Sequence, residues 1–490
     1  MADQFDLLIV GGGPGGYVAA IRGAQLGLNV AVVEKERPGG VCLNWGCIST
    51  KAMLRSAEVL ETMRHAADYG VLADNVRLDY SAVLKRKDRI VKDLTDGVGS
   101  LLKSNKVTVI KGHARFTGRT TVDVYDVSES PLGAGGPLYN ATPGAIKTGT
   151  FSGKDVIIAT GSTPVVPPIS GAKLPGAVTS DGAFLLPEVP RRIVIVGGAA
   201  VGAEWASMFH TFGAEVTLVE LLPTLLPAED VDMGTGLARS FTTRGIRVLT
   251  GHMVTALEEH KGGLRVSVTD PESASPRTVD AEVVLFGVGR EPNTAYLGLE
   301  QTGVTTDARG FVLVDEGLHT SAPHVYAIGD ITGHLLLAHV ASHQGLVAVA
   351  NVAGRPERMD YTSVPAATFT HPEVASVGLT EAKAVEQGHD VAVGKFPFSA
   401  LGRAQSYGAT EGLVKVVAES RYHQVLGMHI IGPSASDLIA EAVLAINMEA
   451  TLESIADTIH AHPTLGEGSM EASMAALGLP IHMAPPRRTR

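Results

Sequence analysis

The chain has 490 residues, 45% of them hydrophobic, with 56 glycines and only 5% aromatics. That length exceeds what one core can fill, and it predicts about three domains of an α/β protein rich in tight strand-to-helix turns. A net charge of −11 at pH 7, with no basic block beyond Arg487, Arg488 and Arg490, points away from nucleic acid as a partner.

The opening residues, MADQFDLLIV, run from an acidic start straight into a strand. Without a basic n-region no secretory leader is expected, and no apolar run reaches membrane-spanning length. A cytoplasmic protein is the expectation. In a reducing compartment its two cysteines point away from a structural staple and toward redox chemistry.

Phe5 to Val10 reads as a short apolar strand, followed by Gly11-Gly12-Gly13-Pro14-Gly15-Gly16, an Ala-rich helix from Tyr17 to Leu26, and a strand from Val30 to Val33 closed by Glu34. Strand, G-x-G-x-x-G, helix, strand, acid is the dinucleotide fingerprint in its required context. Gly11, Gly13 and Gly16 let backbone approach a pyrophosphate at the helix start, and Glu34 suits a ribose hydroxyl.

Gly39 to Lys51, GGVCLNWGCISTK, holds both cysteines, Cys42 and Cys47. In a straight helix residues five apart lie roughly 7.5 Å apart along the axis, too far for an S–S bond. A bridge therefore needs a bent loop leading into a helix. If Ser49 to Lys51 open that helix, its N-terminus favours a thiolate on Cys47. Three readings stay open at this point: a redox dithiol, two buried thiols, or part of a metal site.

Helices are expected from Lys51 to Arg64 and from Tyr80 to Leu102. Ser128 to Gly153, rich in Gly, Pro, Ser and Thr, reads as an extended hairpin or flap, best taken as a tolerated surface insertion. Val156 to Ser162 is a buried strand ending in Ala-Thr-Gly.

The first unit then recurs. A strand from Arg192 to Val196 leads to Gly197-Gly198-Ala199-Ala200-Val201-Gly202, a helix to Phe212, and a strand from Glu215 to Val219 ending at Glu220. Twenty-three positions separate Gly11 from Glu34 and Gly197 from Glu220 alike. Ala199 stands where the second glycine belongs, and its methyl narrows the approach to a pyrophosphate. After Glu220 come Leu221 and Leu222, where a 2′-phosphate would want arginine, so the second site favours NAD over NADP.

Val325 to Asp330 is another buried strand ending in an acid, which either binds a ribityl or ribose hydroxyl or caps the next helix. Two nucleotide folds near a dithiol imply a flavin between thiol and nicotinamide, because a dithiol cannot pass hydride to nicotinamide directly. From Asp360 the pattern changes to strands Ala392–Phe398, Gly412–Ala418 and Gln424–Ile431, with helices Ser436–Met448 and Thr451–Ile459, a separate α+β domain. It ends in HAHPTLGE, His460 to Glu467.

Together these features resemble the flavoprotein disulfide reductases, specifically the branch that oxidises dihydrolipoyl groups, over nearly the whole chain. The resemblance implies an α/β fold with two Rossmann-like domains, for FAD (1–162 and 291–360) and for NAD (163–290), plus a C-terminal α+β dimerisation domain (361–490). It implies FAD and NAD as cofactors, a homodimer, and dihydrolipoamide or a lipoylated carrier as partner, in a 2-oxo-acid dehydrogenase complex or the glycine cleavage system.

By that likeness Cys42 is the exposed interchange thiol, and Cys47 lies over the flavin. Lys51 sits near flavin N5, paired with Glu204, although an ordinary salt bridge would read the same in sequence. Thr160, Gly161 and Asp330 contact the flavin cofactor, Asp330 through its ribityl chain. Ala338 approaches the pyrimidine end of the ring by its backbone and Ala114 the adenine. Gly197, Ala199, Gly202, Glu220, Val254 and Gly289 form the NAD site.

The likeness makes His462 the general base and Glu467 the group that holds its ring. Thr464-x-x-Glu467 is also a capping box, and His460 with His462 an H-x-H pair, so those readings stand beside it. The family usually has Pro where Ser49 stands, which predicts a looser helix start. A glutathione-type NADPH reductase would need arginines after the second acid. A mercuric reductase would need a further C-terminal cysteine pair, and a non-catalytic scaffold would not need the cysteines.

Overall fold

The computed structural model describes residues 3–132, 136–139, 141–270 and 276–484. The basic tail Arg487, Arg488 and Arg490 lies outside the described residues, as does part of the Ser128 to Gly153 flap. The chain divides into two compact units. The first comprises Met1–Val166, Val178–Glu188 and Val288–Asp360; the second comprises Pro167–Ala177, Val189–Gly287 and Tyr361–Arg490.

In the first unit, β1 (Asp3–Val10) leads through the glycine turn into α1 (Pro14–Gln25) and β2 (Val30–Glu34). The helix begins at Pro14, earlier than its Ala-rich run indicates, because proline's fixed φ and missing N–H suit the first helical position. Next come α2 (Gly40–Trp45), α3 (Cys47–Arg64) and α4 (Tyr80–Ser104), the last capped by Asp79, whose carboxylate accepts from the Ala82 amide at 2.9 Å.

Strands β3 (Thr108–Lys111), β4 (His113–Gly118), β5 (Thr121–Val127) and β6 (Pro143–Ile158) complete a seven-stranded sheet in the order β3-β2-β1-β6-β5-β4, with Val325–Ala327 pairing β6. Its parallel centre is apolar without alternation: Leu7, Leu8, Ile9, Val156, Ile157 and Ile158 are all fully buried. Strands covered on both faces read this way. Parallel register sets Val10 beside Val33 and Ile158, and Ala327 beside Ile158. The turns after β1, β2, β6 and Val325–Ala327 therefore gather at one sheet end, where such sheets bind ligands. The strand predicted to reach Ser162 stops at Ile158, and Ser162–Pro164 forms a separate two-stranded ribbon with Arg290–Pro292.

In the second unit a parallel sheet runs Arg247–Leu249, Glu215–Val219, Arg192–Val196, Val283–Phe286. Helix Ala200–Phe212 is buried over most of its length. An antiparallel meander follows, Met253–His260, Gly263–Thr269 and Pro276–Ala281. The chain end forms a five-stranded antiparallel sheet in the order Ala366–Thr368, Glu373–Gly378, Val425–Gly432, Leu413–Glu419, Val391–Pro397. Helices Ala435–Asn447, Leu452–Ala456 and Glu467–Ala476 share its core with Phe396, Phe398, Met428 and Ile430. Within this unit the fully buried Lys415 pairs with Asp230 at 2.8 Å and with Asp232 and Glu381 at 2.7 Å. Several acids around one ammonium are what offsets its desolvation.

The flap is a surface insertion only in part: Leu132 and Ile146 are 43% and 66% exposed. Among its described residues Tyr139 and Ala141 are 7% and 4% exposed, and the Ala141 carbonyl accepts from Lys35 Nζ at 3.2 Å.

Candidate active site

Both cysteines stand as thiols at a break between two helices. Cys42 lies inside α2 rather than in a bent loop. Gly46 (φ −139°, ψ −110°) interrupts the helical path, and Cys47 is the first residue of α3. The helix thus opens two residues earlier than Ser49, which puts Cys47 in the first turn, where the helix dipole favours negative charge. The break brings the two sulfurs into hydrogen-bonding reach.

That hydrogen bond, burial and charge on Cys47 push the Cys42 thiol far up. Asp330 adds to the effect and Lys51, one turn along α3, opposes it. Cys42 is half-buried rather than exposed, within a helix whose next three residues are buried, and Cys47 is exposed.

Two further details fix this segment. A methyl built on Gly40 (φ +55°) would lie 2.7 Å from the Gly13 α-carbon, so glycine is required where α2 passes the first turn. Ser49 is fully buried, and its Oγ donates to the Asn44 carbonyl at 2.8 Å. It stitches α3 to α2 across the break, so the helix start is held by a hydrogen bond rather than loosened.

The Asp330 carboxylate accepts from Ser162 Oγ at 2.5 Å and lies 3.8 Å from Arg290 Nε. Arg290 also donates to Ser162 Oγ at 2.7 Å and to the Ser162 carbonyl at 2.8 Å. Asp330 does not cap the next helix, which begins at Ala338 with Leu337 at its cap and no side-chain cap bond. Thr160 and Gly161 are held by Asn293: Thr160 Oγ1 donates to the Asn293 carbonyl, Asn293 Nδ2 to the Thr160 carbonyl, and the Asn293 amide to the Gly161 carbonyl, each at 3.0 Å.

The two glycine turns share one geometry. Gly11 and Gly197 have φ of +108° and +103°, and methyls on Gly16 and Gly202 would sit 1.9 and 1.8 Å from the carbonyls of Gly11 and Gly197. Glu34 accepts from the Gly12 amide at 2.6 Å and Glu220 from the Gly198 amide at 2.5 Å; each accepts a second amide two residues on at 2.8 Å. Burial raises the Glu34 carboxyl against those amides. A methyl on Gly13 would meet nothing nearer than the Gly40 α-carbon at 3.8 Å, so that face is open to a pyrophosphate.

Ala114 is buried on β4 opposite Val124, and Ala338 opens the helix Ala338–Val352. Glu204 is buried in Ala200–Phe212 and accepts from the Phe369 amide at 3.0 Å. Val254 packs in the meander core, while Gly289 falls in the first unit. His462 Nδ1 lies 2.8 Å from Glu467 Oε1, and Glu467 Oε2 accepts from the Thr464 amide at 2.7 Å. The ring-holding and backbone-capping readings of Glu467 thus hold together, one oxygen for each. Burial raises the Glu467 carboxyl, but His462 and the Thr464 amide outweigh it and hold it below the ordinary range. His460 is engaged by Glu441 at 2.8 Å.

Sequence reasoning missed Ser162, Arg290, Glu36 and Trp45. The Glu36 carboxylate accepts from Trp45 Nε1 at 2.8 Å. A tryptophan three residues beyond Cys42 and an acid two beyond Glu34 were available signals; the Arg290–Ser162 contact spans 128 positions and left none.

Residues 5–345 match the family model of the pyridine nucleotide-disulphide oxidoreductases, and residues 364–473 match that family's dimerisation domain. The chain is 41% identical to a dihydrolipoyl dehydrogenase of Chlamydia muridarum over the full length of both, and 43% identical to one of Bacillus subtilis covering 98% of this chain and 100% of the relative. Among solved structures it is similar to LpdA from Mycobacterium tuberculosis, with a TM-score of 0.83 at 26% identity, covering 96% of this chain and 99% of that one. The HOCl-induced flavoprotein disulfide reductase RclA from Escherichia coli gives a TM-score of 0.81 at 26% identity with the same coverage. A dithiol at a helix break, two matched glycine turns and these full-length likenesses lead to one conclusion: the chain belongs to the pyridine nucleotide-disulphide oxidoreductase family.

Proposed function

We propose that the protein is a dihydrolipoyl dehydrogenase, oxidising dihydrolipoyl groups and reducing NAD+ with FAD as its bound cofactor. The observation that carries this reading is the Cys42–Cys47 pair, two thiols in mutual reach at a helix N-terminus beside Asp330 and Lys51. The 40–43% identical full-length relatives, all named dihydrolipoyl dehydrogenase, support it.

FAD would be held by Gly11, Gly13, Gly16 and Glu34, by Thr160 and Gly161, and by Asp330, with Ala114 and Ala338 offering backbone. NAD would be held by Gly197, Ala199, Gly202 and Glu220, with Val254 and Gly289. When bound, FAD supplies a two-electron carrier that accepts from thiols and delivers hydride to nicotinamide. The domain division follows the same reading: FAD-binding 1–162 and 291–360, NAD-binding 163–290, interface 361–490.

The chain's own residues manage sulfur and protons. His462, its ring oriented by Glu467, takes the proton of the incoming dithiol, and the resulting thiolate attacks Cys42 in its disulfide with Cys47. Cys47 leaves as a thiolate at the start of α3, where the helix dipole and Lys51 stabilise it. The second substrate sulfur then displaces Cys42, which takes the proton carried by His462, and the proton of that second thiol passes to His462 in turn. The protein works as a homodimer through its dimerisation domain, in the cytoplasm. It serves a lipoylated carrier of a 2-oxo-acid dehydrogenase complex or the glycine cleavage system.

Anaerobic titration with dihydrolipoamide should raise a long-wavelength thiolate-to-flavin absorption band. Cys42→Ser should lower turnover of dihydrolipoamide by about a thousand-fold or more while FAD stays bound. Wild-type turnover in that variant would overturn the reading.

A further inference from the structure

The described part of the Ser128 to Gly153 flap ends its path on groups that belong to the flavin region of the first unit. Both the Leu138 and Tyr139 amides donate to Glu36 Oε2, at 3.1 and 3.2 Å, while Glu36 Oε1 accepts from Trp45 Nε1 on the dithiol helix α2. Lys35, next to Glu34, donates to the Ala141 carbonyl. The Tyr139 side chain is buried, and its hydroxyl donates to Asp181 Oδ2.

Asp181 is 1% exposed, and its other oxygen, Oδ1, has no hydrogen-bond partner among the described residues. A carboxylate so enclosed depends on whatever holds it. Burial raises its carboxyl, against the Tyr139 hydroxyl and the Arg290 charge. Arg290 is also within hydrogen-bonding reach of the Tyr139 hydroxyl. It is the same Arg290 that grips Ser162 Oγ at 2.7 Å and the Ser162 carbonyl at 2.8 Å, and Ser162 Oγ donates to Asp330 Oδ2 at 2.5 Å. An unbroken polar chain therefore runs from the flap to the carboxylate beside the dithiol.

We propose that Tyr139 is a positioning residue for the flavin site: through Asp181, Arg290 and Ser162 it fixes the orientation of the Asp330 carboxylate, and through Glu36 it fixes Trp45 on the dithiol helix. The inference rests on the reading of Asp330 as a flavin-cofactor ligand. Arg290 is shared between two carboxylates, Asp181 and Asp330. Removing the Tyr139 hydroxyl leaves Asp181 with the Arg290 charge alone to oppose its burial, so the guanidinium turns toward Asp181 and Ser162 loses its guide. Asp330 then rotates away from the geometry that a ribityl hydroxyl would meet. Since Asp330 also acts on Cys42, the same rotation alters the field at the dithiol.

Tyr139→Phe deletes one hydroxyl and keeps the buried ring, so the fold is retained. In the purified holoenzyme we expect FAD to dissociate about tenfold faster, the magnitude of one hydrogen bond to a charged group. The flavin midpoint potential should move in the same direction as in Asp330→Asn. The double variant should release FAD no faster than Asp330→Asn alone, because both changes act on one chain. If Tyr139→Phe lowers only the unfolding temperature, with FAD release and potential unchanged, the flap is merely structural and the proposal fails. If Asp330→Asn itself leaves FAD release unchanged, the reading of Asp330 fails instead.

Discussion

The two glycine turns are built on one plan and diverge only after their acids. Gly13 and Ala199 occupy the same position with nearly the same backbone, φ −67° and ψ −175° against φ −74° and ψ −177°. Ala199 is thus no strained substitute; its methyl changes only the space above the turn. Past the acid the first copy continues into Lys35, Glu36 and the dithiol helix, which engage the flap and Trp45. The second continues into Leu221 and Leu222, which are 55% and 46% exposed and make no such network among the described residues. A scaffold used twice differs in the few residues that follow each acid, one copy engaging the flap and the dithiol helix and the other leaving an uncharged rim.

That shared plan is tested most severely at the third glycines. Gly16→Ala and Gly202→Ala each force a methyl to within 2 Å of a backbone carbonyl. Both should destabilise by about 3 kcal/mol or more, or prevent folding, as read by denaturant unfolding and soluble yield. Tolerance of one but not the other would break the equivalence of the two turns.

A smaller effect separates the copies by pH. Burial, then the nearby Lys35 charge, lowers the His113 ring from 6.5 to about 4. Between pH 6.5 and 4 the unfolded chain binds the proton and the folded chain does not. The stability associated with the neutral ring is therefore complete above pH 6.5 and is lost as pH falls toward 4. His113→Gln should remove a slope of about 2–3 kcal/mol across that window in urea unfolding of the holoenzyme. An unchanged slope would show that this ring is accessible to protons in the fold.

The smallest change sharpens the comparison at the second glycine. Ala199→Gly should leave stability within about 1 kcal/mol and tighten NAD+ severalfold, seen as a lower KM with kcat little altered. A weaker NAD+ site in that variant would show that the methyl contributes contact rather than obstruction.

The sequence by itself determined what repeats at short range: the glycine turns and their acids, the apolar strands between them, the cysteine spacing, and the His462–Glu467 pair five residues apart. Each rests on local φ/ψ demands or on a period that survives without knowledge of the fold. Only the tertiary structure decided how Cys42 reaches Cys47, since a helix break at Gly46 rather than an open loop sets that distance. It alone decided that Ser49 stitches the break, and that Arg290 and Asp330 meet Ser162, which lies more than a hundred residues from each. It also buried Tyr139 and Ala141 within a Gly- and Pro-rich flap that composition reads as surface. Hydrogen bonds between distant segments have no period, so they become legible only when the sheet order has placed their strands side by side.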